Sequence, residues 1–358
     1  MKHWHETAAI LDRVNRLGTS GVRAAVATVV RISGSAYRRP GAKFLVTEEG
    51  ATFGGVSGGC LEADVREIAL DVLRKGAPRL LHYDTGSDEE TLWGLGLGCE
   101  GAVDIFVQAA DGPSFAAASA AAREAIAAGT RFAMCTALQG AHAGRTAVLA
   151  GGKVSGGAEL DGTAVERAAH LLESGGESRL EDLASGDVFV DVLHPPPALV
   201  VFGAGDDARP LVALAGQTGF DVTVVDHRRA FLTPERFPPP AKLVLRRAEQ
   251  GVDGLGLGRR HFAVVQTHAI QHDRDWLRAL TAQPLGYLGL LGPRARKEHI
   301  LRELGAAQPE KLFGPVGLDL GADGPEQVAV SIVAEMLAVN AGREPTHLRD
   351  KPGGIHEG

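Results

Sequence analysis

The sequence predicts a two-domain α/β protein, in which an N-terminal mixed α/β domain is followed by a Rossmann-like domain built on a parallel sheet. Three observations lead to this prediction. The chain has 358 residues, of which 44% are apolar and 23% charged, enough for two globular domains of ordinary size. A run of prolines follows His194. Beyond that run, strand-like and helix-like segments alternate, which is typical of a parallel sheet covered by helices.

The N-terminal part contains the patterns of both helices and strands. Apolar residues at helical spacing predict a helix from His3 to Leu17, and a β-type run predicts a strand from Ala24 to Ile32. A helix is expected directly after Cys60, because acidic residues occupy its first turn, basic residues its last, and Gly76 ends it. One further strand is expected to end at residue 47, and others are expected at residues 102–108, 131–138 and 145–150. Further helices are expected near residues 114–128 and 163–174.

The domain boundary is predicted at the segment HPPP, residues 194–197. Three consecutive prolines fix φ and provide no backbone N–H group, so they form a stiff connector. The expected domains are therefore residues 1–194 and residues 195–358. In the second domain, strands are expected at 198–202, 222–225, 242–245, 262–266 and 285–290, with helices between the later strands and a closing helix at 324–340.

The segment ALVVFGAGDDARPLVALAGQTGFDVTVVDHR predicts a complete β-turn-α-β unit. Gly203, Gly205 and Ala208 have GxGxxA spacing. The first glycine permits a tight turn, the second lets a phosphate approach the backbone, and the small third residue lets the helix pack on the strand. Asp226, at the end of the second strand, is placed to accept hydrogen bonds from a ribose diol.

Two carboxylates count against ordinary dinucleotide binding at this turn. Asp206 and Asp207 stand in the first turn of the helix, where they complement the helix dipole and would repel a pyrophosphate. His227 and Arg228 follow the second strand and could neutralise a phosphate displaced toward the strand edge. A solvated basic corner is the alternative interpretation of these two residues.

Later strand ends supply further candidates for ligand binding. Thr267 and His268 follow one strand, at the carboxyl edge where open α/β sheets bind ligands. A polar residue that only caps its strand is the simpler interpretation of His268. Gly292 and Arg294 lie at another strand-to-helix turn, a position that favours anions.

The three cysteines are too few and too scattered to form a disulfide framework. Cys60 follows the glycines of GGVSGG, and Cys99 lies in WGLGLGCEG. Thiols on such bare turns suit sulfur handling or a soft metal, although small residues buried in tight turns are the alternative. Cys135 lies in the apolar run RFAMCTAL and is expected to pack in the core.

Overall charge and hydropathy exclude several classes of partner. The formal net charge of −7 argues against a broad nucleic-acid-binding surface. No apolar run is long enough to span a bilayer, and the first residues lack the apolar core of a signal peptide. We therefore expect a cytoplasmic protein without nucleic-acid partners.

Seven segments, taken in order, resemble the marker segments of the XdhC/CoxI family. They are GGVSGGCLEADV, GLGLGCEG, VVFGAGDDARPL, VTVVDHR, THAIQHDRDWL, YLGLLGPRARKE and GPVGLDLGADGPEQVAVSIVAEML. The resemblance covers the N-terminal third of the chain and the region from Ala198 to Asn340. Members of this family are accessory proteins of xanthine dehydrogenase and related molybdenum hydroxylases.

The resemblance implies a chaperone for the molybdenum cofactor, a pterin-dithiolene with a phosphate or dinucleotide tail. Such a protein would hold this molybdopterin cofactor while a cysteine desulfurase supplies a sulfur ligand, and would then deliver it to the apo-hydroxylase. Cys60 is the first candidate for a sulfur or metal contact, and Cys99 is the second. The tail would fall to the Rossmann domain, at Gly203, Gly205, Asp206, Asp226, His227, Arg228, Thr267, His268, Gly292 and Arg294.

Two departures from the family pattern bear on these roles. Many members carry histidine where this chain has Asp206, so no role can be carried over to that residue. Glu100 replaces an expected glycine beside Cys99.

Whether the protein is an enzyme is left open by the sequence, since a cofactor carrier needs no catalytic turnover. The main alternative function is an NAD(P)-dependent oxidoreductase, which the GxGxxA unit favours. An interaction module that binds no ligand is a third possible function. A homodimer is expected only because dimers are the commonest oligomers of soluble proteins.

Overall fold

The computed structural model describes residues 2–34, 37–84, 101–157, 160–305 and 311–351. The chain divides into two compact units between Pro195 and Pro196. Across the described ranges, no helix combines the length and the apolar character needed to cross a membrane.

In the described ranges, the first unit contains two antiparallel sheets of five strands each. The strands of the first sheet are β1 Ala24–Gly34, β2 Lys43–Thr47, β3 Thr52–Gly54, β4 Arg79–Asp84 and β5 Gly101–Ala109, in the order β3-β2-β1-β5-β4. The strands of the second are β6 Phe132–Ala137, β7 Thr146–Ala150, β8 Lys153–Gly156, β9 Arg179–Glu181 and β10 Val188–Leu193, in the order β8-β7-β6-β10-β9.

Helices cover both sheets of this unit. They are α1 Lys2–Thr19, α2 Glu62–Lys75, α3 Pro113–Ala127 and α4 Gly162–Ser174. Helix α2 packs on one face of the first sheet through residues such as Val65 and Ala69. Helices α1 and α3 pack on its other face, in a core that also includes Phe132 of the second sheet. Helix α4 covers the remaining face of the second sheet, where Cys135 is buried as its apolar surroundings predict.

A buried ion pair joins the two sheets of the first unit. Lys43 of β2 contacts Asp191 of β10, and their side chains are only 4% and 2% exposed. His3 Nε2 lies 2.7 Å from Asp191 Oδ1, and the Ser178 hydroxyl donates to the same oxygen at 2.9 Å. Burial alone would raise the pKa of Asp191, but Lys43 and His3 outweigh it and lower that pKa. The carboxylate is therefore ionised at neutral pH.

We expect Asp191→Asn to lower the free energy of unfolding by about 3–5 kcal/mol, because Lys43 would then be buried without a counter-charge. Chemical denaturation measures this loss. Asp182→Asn, at an exposed carboxylate, is the control and should change stability by less than about 0.5 kcal/mol. Equal losses in the two variants would contradict the stabilising role of the buried pair.

The second unit is built on one parallel sheet of six strands. Its strands are β11 Ala198–Phe202, β12 Asp221–Asp226, β13 Lys242–Leu245, β14 His261–Val265, β15 Tyr287–Leu290 and β16 Leu312–Phe313, in the order β13-β12-β11-β14-β15-β16. Its helices are α5 Ala208–Gln217, α6 Ile270–Leu280, α7 Arg294–Leu304 and α8 Pro325–Ala341.

Side chains of β11 alternate between the two faces of this sheet. Leu199 and Val201 pack in the core that contains α5 and α8. Val200 and Phe202 pack in the core that contains α6 and α7. Period-two alternation between two apolar faces is what a parallel sheet buried on both sides requires. The predicted fold class, a mixed α/β region followed by a Rossmann-like sheet, is confirmed.

Candidate functional site

The glycine turn between β11 and α5 packs tightly against the end of β14. Gly203 has a φ of +118°, in the region that favours glycine. A Cβ atom at this position would lie 2.5 Å from the carbonyl oxygen of Gln266. Gly203 is therefore required by the close approach of two strand ends, whatever ligand the turn meets.

The space beside Gly205 is filled by a side chain of the same turn. A Cβ atom on Gly205 would lie 2.5 Å from Oδ1 of Asp207. The other oxygen of Asp207 lies 2.8 Å from Nε2 of His268, a residue held at a φ of 62°. A carboxylate thus occupies the side of the turn from which phosphates approach the backbone in Rossmann folds.

Asp206, the neighbouring carboxylate, points toward solvent. Its side chain is 80% exposed, and Oδ1 lies 3.0 Å from Nη1 of Arg236. Arg236 also donates from Nη2 to the carbonyl oxygen of Ala204 at 3.0 Å. The turn therefore carries two carboxylates, each of which has a basic partner from elsewhere in the second unit.

Asp226 is the buried acceptor at the centre of this sheet edge. Its carboxylate, 2% exposed, accepts from the N–H of Ala204 at 2.7 Å and from the N–H of Arg228 at 2.8 Å. The Arg228 guanidinium donates to it from Nη2 at 2.7 Å and from Nε at 3.0 Å. Burial would raise the pKa of Asp226, but Arg228 and the backbone donors lower it to about 2. A ribose diol at this position would have to share the carboxylate with these four donors.

A cavity of about 210 Å³ opens beyond Asp226, at the carboxyl ends of β12, β13 and β14. Its wall includes Val225 and Trp276. The His227 and His272 rings are 4.9 Å apart. The ionisable side chains of the lining are His227, Arg228, Arg246, Arg247, His272, Asp226 and Glu249. Three guanidinium groups against two carboxylates give this cavity a net positive charge.

Two of the three arginines form no ion pair with a carboxylate of the described residues, although Glu249 also lines the cavity. The Arg246 guanidinium donates to the backbone carbonyl oxygens of Gly251 at 3.1 Å and Asp253 at 2.6 Å, which are uncharged acceptors. Arg247 is exposed. Neither guanidinium forms an ion pair within the described part of the chain, whereas Arg228 is paired with Asp226. Both groups are therefore available to an anion.

Thr267, on the same cavity, is fixed by a second buried carboxylate. Its hydroxyl donates to Asp273 at 2.5 Å and its N–H donates to the same oxygen at 3.1 Å. Asp273 is fully buried and pairs with Arg296 at 2.5 Å. Gly292 makes room for this pair, because a Cβ atom there would lie 2.8 Å from Cδ of Arg296.

The structure brings together only part of the predicted tail site. Gly203, Asp226, His227, Arg228 and Thr267 line the cavity. The other predicted residues do not line it: Gly205, Asp206 and His268 lie at the glycine turn, Gly292 accommodates Arg296, and Arg294 is exposed at the start of α7.

Sequence reasoning missed Arg246, Arg247 and His272. The pair Arg246-Arg247 directly follows the predicted strand of residues 242–245, and a basic pair at a strand end is the signal that could have found it.

Cys60, in the first unit, is exposed immediately before helix α2. Its turn is organised by the Ser57 hydroxyl, which accepts the N–H groups of Gly59 and Leu61 at 3.1 Å each and donates to Glu62. The Cys60 thiol lies 3.6 Å from the same hydroxyl. The turn is thus fixed by its own hydrogen bonds, and the sulfur is left open to solvent.

Glu62 holds the other side of this turn. It accepts the N–H groups of Val56 at 3.0 Å and Ser57 at 2.8 Å. Burial would raise the pKa of Glu62, but these donors and the Ser57 hydroxyl lower it.

The ring of Tyr37 lies close to the same turn, at 3.7 Å from the position of a Cβ atom on Gly58. Tyr37 also lines a cavity of about 290 Å³ whose other lining residues include Arg38 and Arg39.

The other cysteines differ in their surroundings. Burial raises the pKa of the Cys135 thiol to about 12, which suppresses its thiolate form. Cys99 lies outside the described residues. In the ranges that the structure describes, no group of three or more His, Cys, Asp or Glu side chains is arranged to hold a metal ion.

The fold and its glycine turn define a protein with a Rossmann-type unit, and comparison with known proteins identifies the family. The model of the XdhC Rossmann domain matches residues 199–336, and the model of the XdhC and CoxI family matches residues 18–84. A protein of Bacillus subtilis strain 168, named as a probable xanthine dehydrogenase subunit, is 32% identical over 314 residues, which is 88% of this chain and 92% of that protein. The chain belongs to the XdhC and CoxI family.

Two further similarities extend this result. The molybdenum cofactor insertion chaperone PaoD of Escherichia coli K12 is 38% identical over 95 residues, or 24% of this chain and 30% of that protein. A crystal structure described as a xanthine dehydrogenase from Bacillus halodurans superimposes with a TM-score of 0.78 at 27% identity, covering 96% of this chain and 98% of that one. The shared fold therefore spans nearly the whole protein.

We expect Gly203→Ala to lower the free energy of unfolding by about 2–4 kcal/mol, because the new Cβ would strain a left-handed residue against the Gln266 carbonyl. Gly205→Ala should cost less than about 1 kcal/mol, because only the Asp207 side chain has to move. Chemical denaturation of both variants provides the comparison. Losses of the same size would show that the two glycines do not differ in this way.

Proposed function

We propose that the protein is an accessory factor of a molybdenum hydroxylase of the xanthine dehydrogenase type. In this proposal it binds the molybdenum cofactor as cargo, supports its sulfuration and delivers it to the apo-enzyme. Membership of the XdhC and CoxI family supports an accessory role, and similarity to a protein named as a molybdenum cofactor insertion chaperone supports this cargo. The observation that carries the proposal within this chain is the exposed Cys60 thiol on its hydrogen-bonded glycine turn.

Cys60 is proposed to contact the sulfur-rich end of the cargo. An exposed thiol provides a soft ligand for molybdenum, and it also provides a site where sulfur from a cysteine desulfurase can be held. The Tyr37 ring borders the same turn at Gly58, which offers an aromatic face near the sulfur. Cys99 is the second proposed sulfur residue.

The anionic tail of the cargo is proposed to bind the Rossmann-like domain. The cavity beyond Asp226 fits an anion because Arg246 and Arg247 line it without forming ion pairs to any carboxylate of the described ranges. We assign the sulfur end to residues 1–194 and the tail to residues 195–358. The protein is further proposed to act in the cytoplasm as a homodimer.

A nicotinamide-dependent oxidoreductase is the second candidate function. The GxGxxA turn and the parallel sheet favour it. The Asp207 carboxylate beside Gly205 and the occupied oxygens of Asp226 count against it. Titration of the protein with NAD(H) and NADP(H) separates the two functions, and micromolar binding would favour the oxidoreductase.

Cys60→Ala should reduce the amount of molybdopterin that co-purifies with the protein several-fold, because the contact at the sulfur end is lost. Retained pterin is measured by fluorescence after oxidation, per mole of protein. Cys135→Ala, which removes a buried thiol on the second sheet, is the matched control and should retain the parent amount. Equal retention by Cys60→Ala and the parent would remove Cys60 from the mechanism, and no retention by the parent would overturn the proposed cargo.

A further inference from the structure

The glycine turn of the second unit is closed to phosphate by its own side chains. Oδ1 of Asp207 lies where a substituent on Gly205 would lie, at 2.5 Å from the Cβ position. His268 holds the other Asp207 oxygen at 2.8 Å. A phosphate at this turn would have to displace a hydrogen-bonded carboxylate or lie against its negative charge.

Asp226 contacts the glycine turn and also lines the cavity, which Gly203 of the turn lines as well. One Asp226 oxygen faces the turn and accepts the Ala204 N–H, and the Arg228 guanidinium contacts both oxygens. The positive charge of Arg228 is thus largely balanced by Asp226. Arg246 and Arg247, which also line the cavity, have no such partner in the described ranges.

The size of the cavity limits what can enter it. Its volume of about 210 Å³ is below the range of roughly 300–1,000 Å³ that holds a drug-sized ligand. A phosphate group and the carbon that carries it fit inside this space, whereas most of a dinucleotide would have to lie outside it. Guanidinium groups, with several N–H donors in a plane, are suited to the oxygens of a phosphate monoester.

We propose that the terminal phosphate monoester of the cargo binds in the cavity beyond Asp226, with Arg246 and Arg247 as its ligands, and that the glycine turn binds no phosphate. This inference rests on the proposed function for the identity of the cargo. In most Rossmann folds the phosphate binds at the first strand-to-helix turn, whereas in this proposal it binds at the ends of β12 and β13. His227 and His272 line the same cavity.

The first test uses inorganic phosphate as the probe and the full chain as the receptor. Binding is followed by ³¹P NMR line width for the parent, for the double variant Arg246→Gln/Arg247→Gln, and for Asp207→Asn. Arg302→Gln, at an exposed arginine of α7 that lines neither site, is the control. Circular dichroism and melting temperature check that each variant is folded.

The double variant should bind phosphate about tenfold more weakly than the parent, because two charge-assisted contacts are lost. Asp207→Asn and Arg302→Gln should bind it within about twofold of the parent. Tighter binding by Asp207→Asn together with unchanged binding by the double variant would locate the phosphate at the glycine turn. That result, or the absence of saturable binding to the parent, would overturn the proposal.

The second test uses molybdopterin retention and separates this inference from the proposed function. Retention should fall several-fold in the double variant and stay unchanged in Arg302→Gln. If the parent retains molybdopterin and the double variant retains as much, the phosphate site is wrong while the proposed function stands. Arginine-dependent binding of AMP combined with unchanged molybdopterin retention would assign the cavity to a nucleotide, and would also overturn the inference.

Discussion

The hydrogen bond between the Asp226 carboxylate and the Ala204 N–H fixes the carboxyl ends of β11 and β12 relative to each other. A buried ionised carboxylate needs donors, and this one takes them from the glycine turn and from Arg228. The contact ties the end of β12 to the turn after β11. It also engages the acceptor that a ribose diol would otherwise meet, so the free positive charge of this edge lies farther out, at Arg246 and Arg247.

The proposed cargo has two chemically different ends, and each unit of the protein carries groups suited to one of them. The molybdenum atom at the dithiolene end favours a soft sulfur ligand, and Cys60 is the proposed ligand, on a turn fixed by Ser57 and Glu62. A phosphate calls for dense cationic donors, which the arginines at the edge of the parallel sheet supply.

Local sequence patterns predicted the elements and site residues that depend on neighbouring residues. They failed where contacts between residues distant in the sequence determine the structure. The second domain was predictable because its apolar runs alternate with helices. Strand β10 was not, because Asp191 interrupts its apolar run and its burial depends on Lys43 and His3, which are 148 and 188 residues away. The cavity residues next to β12 were found from their strand ends. Arg246 and Arg247 were missed because only the strand order of the folded sheet shows that β13 lies beside β12. The closure of the turn by Asp207 depends on a side-chain conformation, which no spacing reveals.

A crystal structure of the protein with bound molybdopterin tests the central claim most directly, since the position of the phosphorus atom separates the two candidate phosphate sites. The account predicts that the phosphate oxygens lie within hydrogen-bond distance of the Arg246 and Arg247 guanidinium groups, with the Asp207–His268 contact intact. A phosphate seated on the backbone N–H groups of residues 205–207, with Asp207 displaced, would contradict it.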